Sequence, residues 1–162
     1  MIVVLNGAPR SGKSSIAAAI QESFDGVWMN IGVDVARQMT PPRIQPGIGL
    51  RPHEPAQPAA PWVPVLYAAL WETVAAHERL GLNVAVDVGI YDTAVAEDAR
   101  ARLAGLPVLW VGVRCPLEEL EARGGKRRWH DVVHTQLAYD LEVDTSVLSP
   151  AECAARIATV LA

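Results

Sequence analysis

Eight residues near the N-terminus, Gly7-Ala8-Pro9-Arg10-Ser11-Gly12-Lys13-Ser14, carry the spacing G-x-x-x-x-G-K-[ST]. Each residue type has a use in phosphate chemistry. Glycines let a backbone fold tightly enough for several N–H groups to point at one anion. A helix starting near Lys13 would add its electropositive N-terminal end. Lys13 can reach the outer phosphates of a nucleoside triphosphate, and the Ser14 hydroxyl can ligate Mg²⁺. An apolar stretch, residues 1–5, precedes the run and an alanine-rich stretch follows it. That is strand, loop and helix, the context in which the motif is informative. Gly7, Ala8, Pro9, Arg10, Ser11, Gly12, Lys13, Ser14 and Ser15 are therefore the expected nucleotide contacts, with ATP and Mg²⁺ as ligands.

Two carboxylates stand where such chemistry could use them. Asp87 closes the apolar run Val84-Ala85-Val86 and could hold Mg²⁺ opposite Ser14, or only cap a turn. Asp34 follows Ile31-Gly32-Val33 and could accept the proton of an attacking hydroxyl. It could equally serve as the N-cap of a helix over 35–39. Arg123, Lys126, Arg127 and Arg128 surround Gly124-Gly125 in a basic segment, residues 123–130. Guanidinium groups match the dispersed charge of a transferring phosphoryl group, and a closing lid would exclude water. Arg127 and Arg123 are the preferred pair, against the alternative of a solvated charge run. His130 and His134 read as surface or packed histidines. Trp62, Tyr67 and Trp71 repeat at helical spacing and read as core more readily than as an acceptor pocket.

The elements that must position these residues follow from periodicity. Short β-branched runs predict strands over 2–5, 27–33, 82–88, 108–113 and 139–143. Helical spacing predicts helices over 14–24, 35–39, 63–80 and 93–104, with Asp92 as an N-cap and Gly81 as a stop. Cys115-Pro116 opens a further helix with proline at its first position, and residues 129–137 form a short one. Ser149-Pro150-Ala151-Glu152 is a capping box for the last helix. Residues 41–64 hold eight of the twelve prolines. That density forbids long helix or central strand and predicts an irregular substrate loop. Alternating strands and helices imply a parallel sheet covered on both faces, with ligands at the carboxyl ends of its strands. Asp34, Asp87 and the basic segment all fall at that edge.

With 162 residues, 51% hydrophobic and 20% charged, the chain is expected to form one globular domain over residues 1–162. A net charge of −4 does not suggest a nucleic-acid surface. No apolar run reaches the roughly 20 residues of a membrane helix, and no basic leader precedes the first strand. A cytoplasmic location is expected, with Cys115 and Cys153 as reduced structural thiols. Homo-oligomer formation is left open.

The phosphate loop, Gly32-Val33-Asp34, the run Val108-Leu109-Trp110-Val111-Gly112-Val113-Arg114-Cys115 and the run Tyr139-Asp140-Leu141-Glu142-Val143-Asp144-Thr145 together resemble the chloramphenicol phosphotransferase-like family of P-loop kinases. The resemblance covers nearly the full length. It implies a three-layer α/β/α, nucleotide-kinase-like fold on a five-stranded parallel sheet. It also implies transfer of the γ-phosphoryl group of ATP, with Mg²⁺, to an alcohol. Asp34 falls on the family's base, Lys13 and Ser14 on its phosphate-loop residues, and Arg123 and Arg127 on arginines of its lid. Gly124-Gly125 in a shorter lid and the proline-rich 41–64 segment depart from chloramphenicol phosphotransferase itself, so the acceptor is expected only to be a small hydroxylated molecule. Two alternatives stay open. One is a metabolite or nucleotide kinase with an anionic acceptor, for which Arg37, Arg43 and Arg51 could serve. The other is a non-catalytic ATP-binding module.

Overall fold

A computed structural model describes residues 1–45 and 57–161. The middle of the expected 41–64 substrate loop, with Arg51, lies outside the described residues. Its flanks are 3-10 turns at Pro42–Ile44 and Gln57–Trp62.

Five parallel strands form one sheet: β1 (Ile2–Asn6), β2 (Trp28–Gly32), β3 (Asn83–Val88), β4 (Val108–Arg114) and β5 (Leu141–Asp144), in the order β2-β3-β1-β4-β5. β1 is central. Ile2 pairs with Val84 on one side and with Val108 on the other, and the register runs to Asn6 opposite Val88 and Gly112. A strand flanked on both edges and covered on both faces reads as a near-continuous apolar run, and every residue of β1 is buried, the terminal Asn6 included.

The helices are α1 (Lys13–Ser23), α2 (Val33–Gln38), α3 (Val63–Arg79), α4 (Thr93–Arg102), α5 (Leu117–Ala122), α6 (Arg127–His130) and α7 (Pro150–Leu161). Strand alternation sorts the side chains into two cores. Ile2, Val4, Val84, Val86 and Val88 face Leu70, Trp71 and Val74 of α3 and Ala96 and Ala99 of α4. Val3, Leu5, Ala85, Val111 and Val113 face Ile16, Ala17 and Ile20 of α1 and Cys153, Ala154 and Ile157 of α7. This is the three-layer α/β/α arrangement that the resemblance implied.

Local signals act as read. The Asp92 carboxylate accepts from the N–H groups of Ala94 and Val95 at 2.8 and 3.3 Å. Ser149 N–H donates to Glu152 at 2.8 Å, and Glu152 N–H donates back to the Ser149 hydroxyl at 3.3 Å. Three differences fall between the end of β4 and β5. Pro116 is the N-cap of α5 rather than its first residue, because its backbone is extended (φ −52°, ψ 146°) and its carbonyl accepts the first turn from Leu120 N–H at 2.9 Å. The expected helix over 129–137 is instead the single turn α6, which begins within the basic segment at Arg127. β5 starts at Leu141, two residues late, because Tyr139 is turned so that its ring covers Gly112: a Cβ there would lie 2.6 Å from that ring.

Candidate active site

The chain leaves the carboxyl end of β1 at Asn6 and enters the loop that precedes α1. Gly7 is pressed against β4, since a Cβ there would sit 2.6 Å from the Val113 carbonyl and 2.8 Å from Ser11 Oγ. Only a residue without a side chain permits this approach. Arg10 and Gly12 both take left-handed backbone, φ 71° and 92°, which turns successive N–H groups inward as an anion-binding nest. Gly12 is also the N-cap of α1 and offers no side chain to its first N–H groups. Those donors, at the positive end of an eleven-residue helix, remain available for an anion.

Three side chains converge at the mouth of this loop. Lys13, though largely buried, donates from Nζ to the Ala8 carbonyl at 2.8 Å and lies 3.7 Å from Asp87 Oδ1. Ser14 Oγ donates to Asp87 Oδ2 at 2.5 Å. β3 places Asp87 here, beside Leu5 of β1 and Gly32 of β2. The last contact is close: a Cβ on Gly32 would stand 2.8 Å from the Asp87 carbonyl. The β2–α2 junction therefore abuts β3, and Asp34 follows two residues later in the first turn of α2. Gly32, not Asp34, is the N-cap of that helix. Asp34 is left with a 69% exposed side chain whose charged neighbour is Arg37, 3.7 Å away. Gly7, Pro9, Arg10, Gly12, Lys13, Ser14, Ser15, Asp34, Asp87 and Arg123 all line one cleft of about 740 Å³.

The match to known proteins fits this geometry. Residues 1–162 match the family of chloramphenicol phosphotransferase-like proteins. The chain belongs to that family. It is 28% identical over 168 residues to the "Putative O-phosphotransferase" of Mycobacterium tuberculosis, covering 90% of this chain and 75% of the relative. Its fold is shared with the Mycobacterium tuberculosis APS kinase CysC, solved in complex with AMPPNP and APS, at a TM-score of 0.74 and 18% identity over 99% of this chain and 96% of that one. Shikimate kinase from Aquifex aeolicus aligns at a TM-score of 0.67 and 15% identity, covering 99% and 96% of the two chains. The tunicamycin resistance protein of Deinococcus radiodurans aligns at 0.65 and 22%, covering 99% and 94%. The family places the chain in the kinase and phosphotransferase class, on a P-loop kinase fold.

The basic segment 123–130 is arranged differently from what its composition suggests. Arg123 lines the cleft, but its guanidinium is already engaged. It donates to Thr145 Oγ1 at 3.1 Å, to the Thr145 carbonyl at 3.0 Å and to Glu119 at 3.1 Å. Thr145 Oγ1 in turn donates to the Ser11 carbonyl at 2.8 Å. Arg123 thus ties the start of the basic segment, through the turn after β5, to the phosphate loop. Arg127 is 71% exposed, 3.8 Å from Glu121, and is not among the residues lining the cleft. The expected Arg127–Arg123 pairing is not brought together; Gly124, Gly125 and Lys126 face the cleft instead. His130 is packed, with Nε2 3.0 Å from the Cys115 carbonyl and Nδ1 2.8 Å from Asp131. Trp71 is wholly buried in the core, while Trp62 is half exposed. Tyr67 donates to the Gly89 carbonyl at 3.1 Å, which fixes one wall of the cleft. Cys115 and Cys153 are free and buried, and burial pushes both thiols up in pKa.

Sequence reasoning passed over Asn6. It is fully buried and saturated: Nδ2 donates to the Val133 carbonyl at 2.9 Å and to Tyr139 Oη at 2.8 Å, while Oδ1 accepts from Ile90 N–H at 2.8 Å. One side chain thereby joins the start of the phosphate loop, the loop after β3 and the segment after α6. A polar residue ending an otherwise apolar strand was the available signal. His134 closes the network, with Nδ1 2.9 Å from Tyr139 Oη. Burial, and next the positive charge of Arg114, lower its pKa to about 4, so it is neutral near pH 7.

Proposed function

We propose that the chain transfers the γ-phosphoryl group of ATP to the hydroxyl of a small molecule. The observation that carries this reading is the meeting, in one cleft, of an anion-binding loop, the Ser14–Asp87 pair and the exposed Asp34 carboxylate. The loop amides and Lys13 would bind the triphosphate; Lys13 would exchange its bond to the Ala8 carbonyl for the outer phosphates. Ser14 and Asp87 are the residues that would hold Mg²⁺. Among the described residues no three His, Cys, Asp or Glu side chains cluster as a metal cage. That suits a cation that keeps waters and phosphate oxygens as ligands. When bound, it supplies charge neutralisation across the phosphates.

Asp34 is suited to orient the acceptor hydroxyl and take its proton. The new O–P bond forms as the bond from the γ-phosphorus to the bridging oxygen breaks, ADP departs with that electron pair, and the hydroxyl proton goes to the Asp34 carboxylate. The relative named as an O-phosphotransferase supports an alcohol acceptor. Arg37 faces Asp34, and Arg43 is not among the residues lining the cleft. The third arginine considered for an anionic acceptor, Arg51, lies outside the described residues.

Incubation with Mg-ATP and a panel of hydroxylated metabolites and antibiotics, read by mass spectrometry, tests the proposal. A product one phosphoryl group heavier is expected from wild type. Asp34→Ala should lower its rate by about 10²-fold or more while ATP binding stays within about twofold. Equal loss of turnover and ATP binding would remove Asp34 from the proton-accepting role. ATP binding with no product from any acceptor would favour a binding module.

A further inference from the structure

Among the described residues, Arg10 is the one non-glycine residue with left-handed backbone, at φ 71°. A side chain in that region crowds its own backbone, whereas glycine adopts it freely. Strain of this kind persists where the surrounding fold imposes it, and it gathers at functional sites. Arg10 lies between Gly7, pressed against β4, and Gly12, which is itself left-handed.

The charges of the cleft single out the same residue. Four cationic side chains line it: Arg10, Lys13, Arg123 and Lys126. Lys13 is tied to the Ala8 carbonyl and Asp87, and all three donor nitrogens of Arg123 are committed to Thr145 and Glu119. The Arg10 guanidinium is exposed to the cleft and makes no hydrogen bond or ion pair with any described residue. Lys126 is a point charge at the start of α6, a helix of one turn. Arg10 instead belongs to the loop that would wrap the phosphates, so its reach does not depend on the lid. Its planar fork suits the paired oxygens of a phosphoryl group.

We propose that the Arg10 side chain is itself a phosphate ligand, a guanidinium carried by the loop that contacts the transferred γ-phosphoryl group in the place expected of Arg127. This rests on the ATP-dependent reading above. Arginine supplies there the charge compensation that phosphoryl transfer requires.

The test uses the full chain and needs no acceptor. Mg-AMPPNP and Mg-ADP are titrated by calorimetry into wild type, Arg10→Gly, Arg10→Ala and Arg10→Lys, and Tm is measured without ligand. Arg10→Gly should weaken AMPPNP about tenfold or more and ADP by less than about twofold. Its Tm should be no lower than that of wild type, because relief of the left-handed strain offsets the flexibility gained by the unfolded chain. Arg10→Ala should show the same nucleotide pattern, and Arg10→Lys should recover part of the AMPPNP affinity. Equal effects on the two nucleotides, or none, would overturn the side-chain role and leave Arg10 a backbone contributor while the ATP reading stands. Wild type that binds neither nucleotide would overturn both.

Discussion

Replacing Asn6 by Ala should destabilise the fold far more than one surface-sized side chain suggests. Asn6 is fully buried at the end of the central strand, and its amide serves Ile90 N–H, the Val133 carbonyl and Tyr139 Oη. Alanine removes all three bonds; it strips the backbone donor of Ile90 and leaves the Val133 carbonyl only the long contact to Tyr139 Oη at 3.4 Å. Each buried group stripped of its partner costs about 1–3 kcal/mol. Tyr139 Oη loses less, because it keeps His134 Nδ1 at 2.9 Å. The sum is about 2–5 kcal/mol, a large share of the 5–15 kcal/mol typical of a domain. For a chain of this size it lowers Tm by roughly 5–15 °C. Urea denaturation with an unchanged m-value would give the loss directly. Asn6→Asp refines the test, because it keeps the acceptor for Ile90 but has no donor for Val133 or Tyr139 and buries a charge. It should be at least as damaging as Asn6→Ala. A loss below about 0.5 kcal/mol for Asn6→Ala, or an Asp variant as stable as wild type, would refute the reasoning that this side chain holds the three segments together.

The neutral His134 makes stability depend on pH with a defined sign. Its pKa of about 4 lies below the ordinary value near 6.5, chiefly through burial and then through Arg114. The native state therefore resists protonation. The contribution is fully present above about pH 6.5 and is lost as pH falls towards 4, and solvent at the partly exposed ring keeps it below the full value of the shift. Thermal melts of wild type and His134→Gln from pH 7 to 4 should converge or cross as acid removes the wild-type advantage, and parallel curves would count against it. Gly7→Ala should abolish tight Mg-AMPPNP binding, since the added Cβ would lie 2.6 Å from the Val113 carbonyl. Retained affinity with a normal melt would mean that the loop does not need this close approach to β4.

What could be read from the sequence was what local pattern decides. The eight-residue loop, the Asp92 cap, the Ser149–Glu152 box and the apolar strands depend on neighbours a few residues apart, and their geometry follows from those neighbours. The carboxylates at the strand ends were legible for a related reason. A parallel sheet sends Asp34 and Asp87 to one edge whatever the details of packing. The basic segment was not legible in the same way. Arg123 and Arg127 are equivalent as residue types. Which of them reaches the cleft is set by the turn α6 and by Thr145, twenty-two residues away from Arg123, whose hydroxyl and carbonyl capture the Arg123 guanidinium.

That capture changes what the arginines can contribute. A guanidinium already bound to Thr145 and Glu119 is a structural brace, and turning it to a phosphate would first break three bonds. Through Thr145 Oγ1 and the Ser11 carbonyl the brace reaches the phosphate loop, and Gly12 is held against the same threonine, where a Cβ would lie 3.3 Å from its methyl group. Asn6 does the corresponding work from the other side, linking the start of that loop to Val133 beyond α6. The loop is thus held at both ends by side chains from distant segments, which can stabilise a strained Arg10 between them. Loosening either end, by Thr145→Val or Asn6→Ala, should free Arg10 to leave the left-handed region, and weakened nucleotide binding should follow even though neither substituted side chain lines the cleft.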